Sequence, residues 1–308
     1  MSGESTAGEA RQASGAATLC GLAAVLLWSA LVGLIRATSE HAGPIGGAAL
    51  IYTLAAALLW LVVGRPRWRD FTPGYLLAGG ALFAAYEVCF SLSLGYASDR
   101  GQAIEVGIVN YLWPCLTILL AIALNGQRAR WPIVPGTLLA VAGIAWVVGG
   151  EGGLSLAGVW RNVATNPLSY GLAFTGAVLW ALYCNVTRRY ARGQNGIVVF
   201  FVLTAVSLWI KYAISAEPAV AWSWSLALPL AAAGGCMAAG YGLWNVGILR
   251  GNMTLLATAS YFTPVLSTAL AALLLDTRLA LPFWQGVGMV TAGSLLCWVA
   301  TRERGHGR

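Results

Sequence analysis

The chain has 308 residues, of which 58% are hydrophobic and only 9% charged, with a mean hydropathy of +0.73. An average soluble domain is about a quarter charged, so this chain cannot present an ordinary wet surface and reads as an all-α polytopic membrane protein. The net charge of +7 does not make it a nucleic-acid binder, because the basic residues are dispersed in small groups between apolar runs and not gathered on one face.

Residues 1–16 are small, polar and rich in Ala, Ser and Gly, and predict a disordered cytoplasmic tail. The apolar run that follows reaches Ile35, longer than the ~7–15 residues of a signal-peptide core, and is read as a retained span. A span needs about 20 mostly apolar residues. Ten segments qualify, at 17–35, 44–63, 74–96, 102–124, 132–150, 167–187, 196–214, 226–248, 253–275 and 282–301. Pro44, Pro132, Pro167 and Pro282 open spans, where a missing N–H costs little. The long connector 151–166 separates a first unit, 17–150, from a second, 167–302, and 303–308 form a cytoplasmic tail.

Orientation follows from the asymmetry of Lys and Arg. With the N-terminus inside, the inner segments carry 13 basic residues, among them Arg65, Arg67, Arg69, Arg128, Arg130, Arg188 and Arg189. The outer segments carry five: Arg36, Arg100, Arg161, Lys211 and Arg278. Ten spans with both termini cytoplasmic fit this ratio.

The two units repeat each other. At an offset of 150, Arg100/Arg250, Gly101/Gly251, Tyr111/Tyr261, Pro114/Pro264, Arg128/Arg278, Pro132/Pro282, Gly136/Gly286 and Gly143/Gly293 coincide. Gly79-Gly80-x5-Tyr86 matches Gly234-Gly235-x5-Tyr241 at 155, and Trp28-x7-Arg36 matches Trp180-x7-Arg188 at 152. Five spans per unit is an odd number, so the second unit enters the membrane from the opposite side. Ten transmembrane helices as two inverted five-helix repeats is the design of secondary transporters, with a site near the midplane between the repeats.

The most polar stretch within a span is Glu105-Val-Gly-Ile-Val-Asn-Tyr-Leu-Trp-Pro114. Polar groups at membrane depth are costly and mark functional sites. At a helical rise of about 1.5 Å per residue, Trp113 falls near the midplane, Asn110 one turn shallower and Glu105 nearer the outer surface. Trp180, Tyr261 and Pro264 fall near mid-depth, and Tyr86 and Glu87 in the middle to outer part of the third span. Interfacial location accounts for Trp60, Trp68, Trp131, Trp222, Trp224 and Trp284, but not for Trp113, Trp180, Tyr86, Tyr111 and Tyr261. Singly, each of these fits a packed aromatic core. Together with Asn110 they fit the wall of a pocket with an apolar body and a few polar handles, suited to a ring-bearing ligand or a cation. Glu87 and Glu105 are candidates for a substrate-amine or proton site. Pro114 and Pro264 are kinks, or hinges that expose backbone carbonyls.

Other chemistries find little support. The six cysteines lie in apolar runs without a C-x-x-C pair and read as small buried hydrophobes. His41 and His306 lie in a connector and in the tail, which leaves no histidine metal site and no catalytic triad in the spans. There is no G-x-x-x-x-G-K-[ST] loop, so neither ATP hydrolysis nor a cofactor is expected, and an integral membrane enzyme lacks its nucleophile–base set. The paired glycines read as close-packing positions, with Gly240 and Gly242 also loosening the helix around Tyr241.

Ten spans in two inverted repeats, with proline in the fourth and ninth, resemble the EamA-type members of the drug/metabolite transporter superfamily. Within it, Asn110-Tyr111-Leu112-Trp113-Pro114 and the Trp28 and Trp180 segments are similar to the YddG-type aromatic amino acid exporters of bacterial inner membranes. The resemblance spans about 17–302. It implies export of aromatic, and other neutral, amino acids by a monomer in the lipid bilayer. The central cavity it implies is lined by Tyr86, Tyr111, Trp113 and Trp180. The alternative is a proton-coupled exporter of cationic drugs or other small metabolites, with Glu87 or Glu105 as counter-ion. A phosphorylated substrate would require buried Lys or Arg, which the spans do not provide.

Overall fold

The computed structural model describes residues 2–64, 71–150, 154–192 and 194–301. Arg65, Arg67, Arg69, Trp68 and the tail 303–308 lie outside the described residues. Among the described residues there are fourteen helices and no strand. In chain order they are α1 (Ser2–Ser29), α2 (Leu31–Ala42), α3 (Pro44–Val63), α4 (Pro73–Gly95), α5 (Arg100–Asn110), α6 (Trp113–Asn125) and α7 (Ile133–Val148). Then follow α8 (Leu156–Thr165), α9 (Pro167–Tyr190), α10 (Ile197–Ala213), α11 (Trp224–Arg250), α12 (Met253–Ser260), α13 (Thr263–Leu274) and α14 (Leu281–Thr301).

Seven helical stretches are long and apolar enough to cross a membrane, counting α1–α2 from Gly15 and α5–α6 as continuous. Three shorter apolar helices, α7, α10 and α13, accompany them. Outward-facing apolar side chains such as Leu61 (79% exposed) and Leu228 (77%) need an apolar solvent, which a bilayer supplies.

Helix is also present outside the ten segments at two places. Residues 2–16, expected as a tail, are helical from Ser2 onward; Ala, the commonest residue there, is the best helix former. The connector 151–166 contains α8, whose N-cap Ser155 side chain accepts from the Gly158 N–H, a capping signal that the composition of the connector obscured.

The spans containing Pro114 and Pro264 are each interrupted at the same repeat position. Tyr111 N–H donates to Ile108 O and Leu112 N–H to Val109 O, and Tyr261 and Phe262 make the equivalent tight turns onto Thr258 and Ala259. The prolines therefore sit in the first turn of new helices, α6 and α13, where the lost donor costs least.

The packing partners are related in the same way as the sequence. α4 packs on α9 and α1 on α11, so the third span of each unit lies against the first of the other. α3 pairs with α10, and α7 with α14. The last pair rests on the repeated glycines. A Cβ on Gly143 would stand 2.7 Å from Gly286 O, and one on Gly293 would stand 2.6 Å from Gly136 O. Seven residues apart, Gly136 and Gly143 share one face of α7, and Gly286 and Gly293 one face of α14, so the two backbones meet without side chains between them.

Candidate functional site

A cavity of about 260 Å³ lies between the two units, lined by side chains from α1, α2, α4, α5, α6, α9, α11, α12 and α13 and from the break at Tyr111. It is slightly below the ~300–1,000 Å³ typical of small-ligand sites. Of the residues singled out from the sequence, Tyr86, Glu87, Asn110, Tyr111, Trp113 and Trp180 all line it.

The rings form a connected wall. Trp180 lies 4.5 Å from Tyr86 and 6.2 Å, edge to face, from Trp113. Tyr86 stacks on Phe90 at 5.9 Å. On the other side Trp28 meets Tyr241 at 5.1 Å and Trp244 at 5.2 Å. Edge and offset contacts of this kind are the favoured aromatic geometry.

Polar groups are few and mostly engaged. Glu87, 3% exposed, accepts from Tyr241 Oη at 2.9 Å and from Tyr52 Oη at 2.5 Å. Asn110 is 3% exposed, and its Oδ1 accepts no hydrogen bond among the described residues. Opposite it, α9 presents Gly176, where a Cβ would stand 3.3 Å from that oxygen. Trp28 Nε1 is likewise buried without a partner.

Two expected site residues are elsewhere. Tyr261 packs on Trp298 at 5.9 Å and does not line the cavity. Ser260 and Thr263 on that segment do face it, and one residue along a helix is a turn of about 100°, so Tyr261 is carried to another side. Glu105 lines a separate pocket with Gly101, Arg278 and Phe283 and accepts from Tyr170 Oη at 2.8 Å. The two carboxylates therefore line different pockets. Gly240 has a packing reason of its own, since a Cβ there would meet Trp28 Nε1 at 2.7 Å.

Sequence reasoning missed Trp28, Tyr241, Ser260 and Thr263 as lining residues. The repeat could have found them: Trp28 is the counterpart of Trp180, Tyr241 of Tyr86, Ser260 of Asn110 and Thr263 of Trp113. The remaining lining residues follow from helical spacing on those anchors. Leu31 is three from Trp28, Phe90 four from Tyr86, Cys184 four from Trp180, and Met237 and Trp244 four before and three after Tyr241, which are the intervals that share a helix face. Cys184 is thus a cavity residue and not merely a core filler. Cys115 and Cys297 are fully buried, as small hydrophobes should be, with their Sγ atoms 3.1 Å apart.

A family model, described as the EamA-like transporter family, matches residues 15–149 and again 167–299. The chain belongs to the EamA-like transporter family. It is 57% identical to the aromatic amino acid exporter YddG of Salmonella typhimurium (strain 14028s) over 94% of this chain and 98% of that protein. It is 57% identical to that of Escherichia coli (strain K12), over 93% and 98%. It is 33% identical to that of Ancylobacter novellus, over 82% of this chain and 87% of the relative. A solved crystal structure with 29% identity superposes with a TM-score of 0.64, covering 94% of this chain and 98% of that one. Family membership and the long apolar helices make this a multi-pass membrane protein, and its relatives are transporters.

Proposed function

We propose that this chain is a secondary transporter that exports aromatic, and other neutral, amino acids across the bacterial inner membrane. The observation that carries the reading is the cavity: a ring-lined chamber between the two units, built from residues that answer each other across the repeat. The names of its 57% identical relatives point to the same substrates. Rings of the substrate would lie against Trp113, Trp180, Tyr86 and Tyr111, with Asn110 meeting the polar end. Tyr261 serves packing in this reading, and Glu105 is a charge beside the outer entrance.

The seven long and three shorter apolar helices we read as ten spans in inverted five-helix repeats over 17–150 and 167–302, with both termini cytoplasmic. Alternating access then follows from the repeat design. The breaks before Pro114 and Pro264 would be the hinges. The end of the cavity toward Arg100 is closed by α2, α5 and α13. A Cβ on Gly33 would stand 3.1 Å from Leu274 Cβ, and Arg100 donates to Leu275 O at 3.0 Å while pairing with Glu40 at 2.8 Å. With that end outside, the conformation is one closed to the exterior.

Purified protein in liposomes, working as a monomer, should move labelled Phe, Tyr or Trp down a gradient. Transport of quaternary ammonium compounds alone would replace this reading with a proton-coupled exporter of cationic drugs.

A further inference from the structure

Glu87 is an acid without a base. Both of its oxygens accept from tyrosines, Oε1 from Tyr241 and Oε2 from Tyr52. Ser91 Oγ donates to Tyr52 Oη at 3.1 Å, which leaves the Tyr52 proton for Glu87. Hydroxyl donors satisfy the hydrogen-bonding capacity of a carboxylate without neutralising its charge. No Lys, Arg or His lines the cavity, and no ion pair reaches Glu87 among the described residues. Buried carboxylates are ordinarily paired. A carboxylate offers about four lone-pair sites, so two hydrogen bonds leave room for a third donor.

The surroundings of Glu87 favour a cation. Tyr86, Trp28 and Tyr241 line the cavity with it, and ring faces attract ammonium groups. The hydroxyls of Ser260 and Thr263 are spent on Ala257 O at 2.8 Å and Ser260 O at 2.6 Å. An ammonium group thus finds a carboxylate without a cationic partner, and ring faces beside it.

We propose that Glu87 is the ammonium subsite of the cavity and that aromatic amines are therefore carried as well as aromatic amino acids. The ligands meant are rings on a short chain ending in a primary ammonium, such as phenethylamine, tyramine or tryptamine. The proposal rests on the reading of the cavity as the substrate site.

The test uses the full chain. Uptake of labelled Phe into liposomes is competed with tryptophan, with tryptamine, and with indole-3-propionate, which keeps the ring and carboxylate but lacks the ammonium. Binding of labelled tryptamine to the detergent-solubilised protein, and its uptake above that of protein-free liposomes, are measured directly. Tryptamine should bind and compete, and indole-3-propionate should compete at least about tenfold more weakly than tryptamine, the effect of one lost charge-assisted hydrogen bond. Glu87→Gln should weaken tryptamine binding by at least about tenfold for the same reason. The ligand series needs only the unmutated protein, so a variant that fails to fold does not remove the test.

The proposal is overturned if indole-3-propionate competes as well as tryptamine, or if tryptophan competes and tryptamine neither binds nor competes. Binding and uptake of tryptamine without Phe transport would sink the amino acid reading and leave the Glu87 subsite standing.

Discussion

The two walls of the cavity are built on matching positions and use them differently. Trp28 answers Trp180, and Tyr86 answers Tyr241, so the aromatic frame is shared. At the breaks before the prolines the walls part. In the second unit Thr263 Oγ1 donates to Ser260 O, the carbonyl that Pro264 leaves without its helical donor, and Ser260 Oγ bonds within its own turn. That wall closes its polar groups on itself. In the first unit Asn110 keeps an unpaired Oδ1, and Trp113 puts a large ring edge-on to Trp180. The backbone interruption is common to both, and both line the cavity. In the proposed function, divergence at repeat-related positions separates residues that hold the frame from residues that select what enters it.

The frame itself should break symmetrically. Gly143→Leu and Gly293→Leu each drive a side chain into a backbone that already approaches to within 3 Å of the ideal Cβ. Each should cost about 3 kcal/mol or more through overpacking, read as a large drop in the melting temperature of detergent-solubilised protein. A variant that melted normally at either position would show that α7 and α14 are not held by this contact.

The walls should respond unequally. Trp113→Thr, which gives the first wall the residue of the second, should reduce Phe transport by about thirtyfold, since a ring-sized apolar contact is worth ~2 kcal/mol. Normal liposome uptake with an unchanged KM would remove Trp113 from the site. Asn110→Ser makes the other exchange and should raise KM by about tenfold, near the worth of one or two hydrogen bonds. A change confined to thermal stability would instead mark Asn110 as a support for the break.

Much of this division was legible in the residues. The offset of 150 located both breaks and the glycine pair, because backbone constraints such as proline and close helix contact leave identical residues behind. The same register held the second wall, but Ser260 and Thr263 lack the chemical distinctiveness that draws attention to a buried Trp or Asn. Glu105 was legible as the outer of the two carboxylates, but the partners of neither were. Only the third dimension brings Tyr52 and Tyr241 to Glu87, and Tyr170 to Glu105. The short α8 escaped for a simpler reason, since its ten residues are too few to register as a span.

The smallest expected effect is also the sharpest test of facing. Tyr111 and Tyr261 are the same residue at the same repeat position, yet only Tyr111 lines the cavity while Tyr261 leans on Trp298. If identity across the repeat decided function, the two hydroxyls would matter equally. Facing argues otherwise. Tyr111→Phe should weaken transport by about fivefold, the range of a single neutral hydrogen bond. Tyr261→Phe keeps the ring against Trp298 and should leave uptake within about twofold, the scale of a substitution outside any special contact. Equal losses in the two variants, measured as initial rates of labelled Phe uptake at matched protein content, would mean that the hydroxyls act on the hinge turns and not on the ligand.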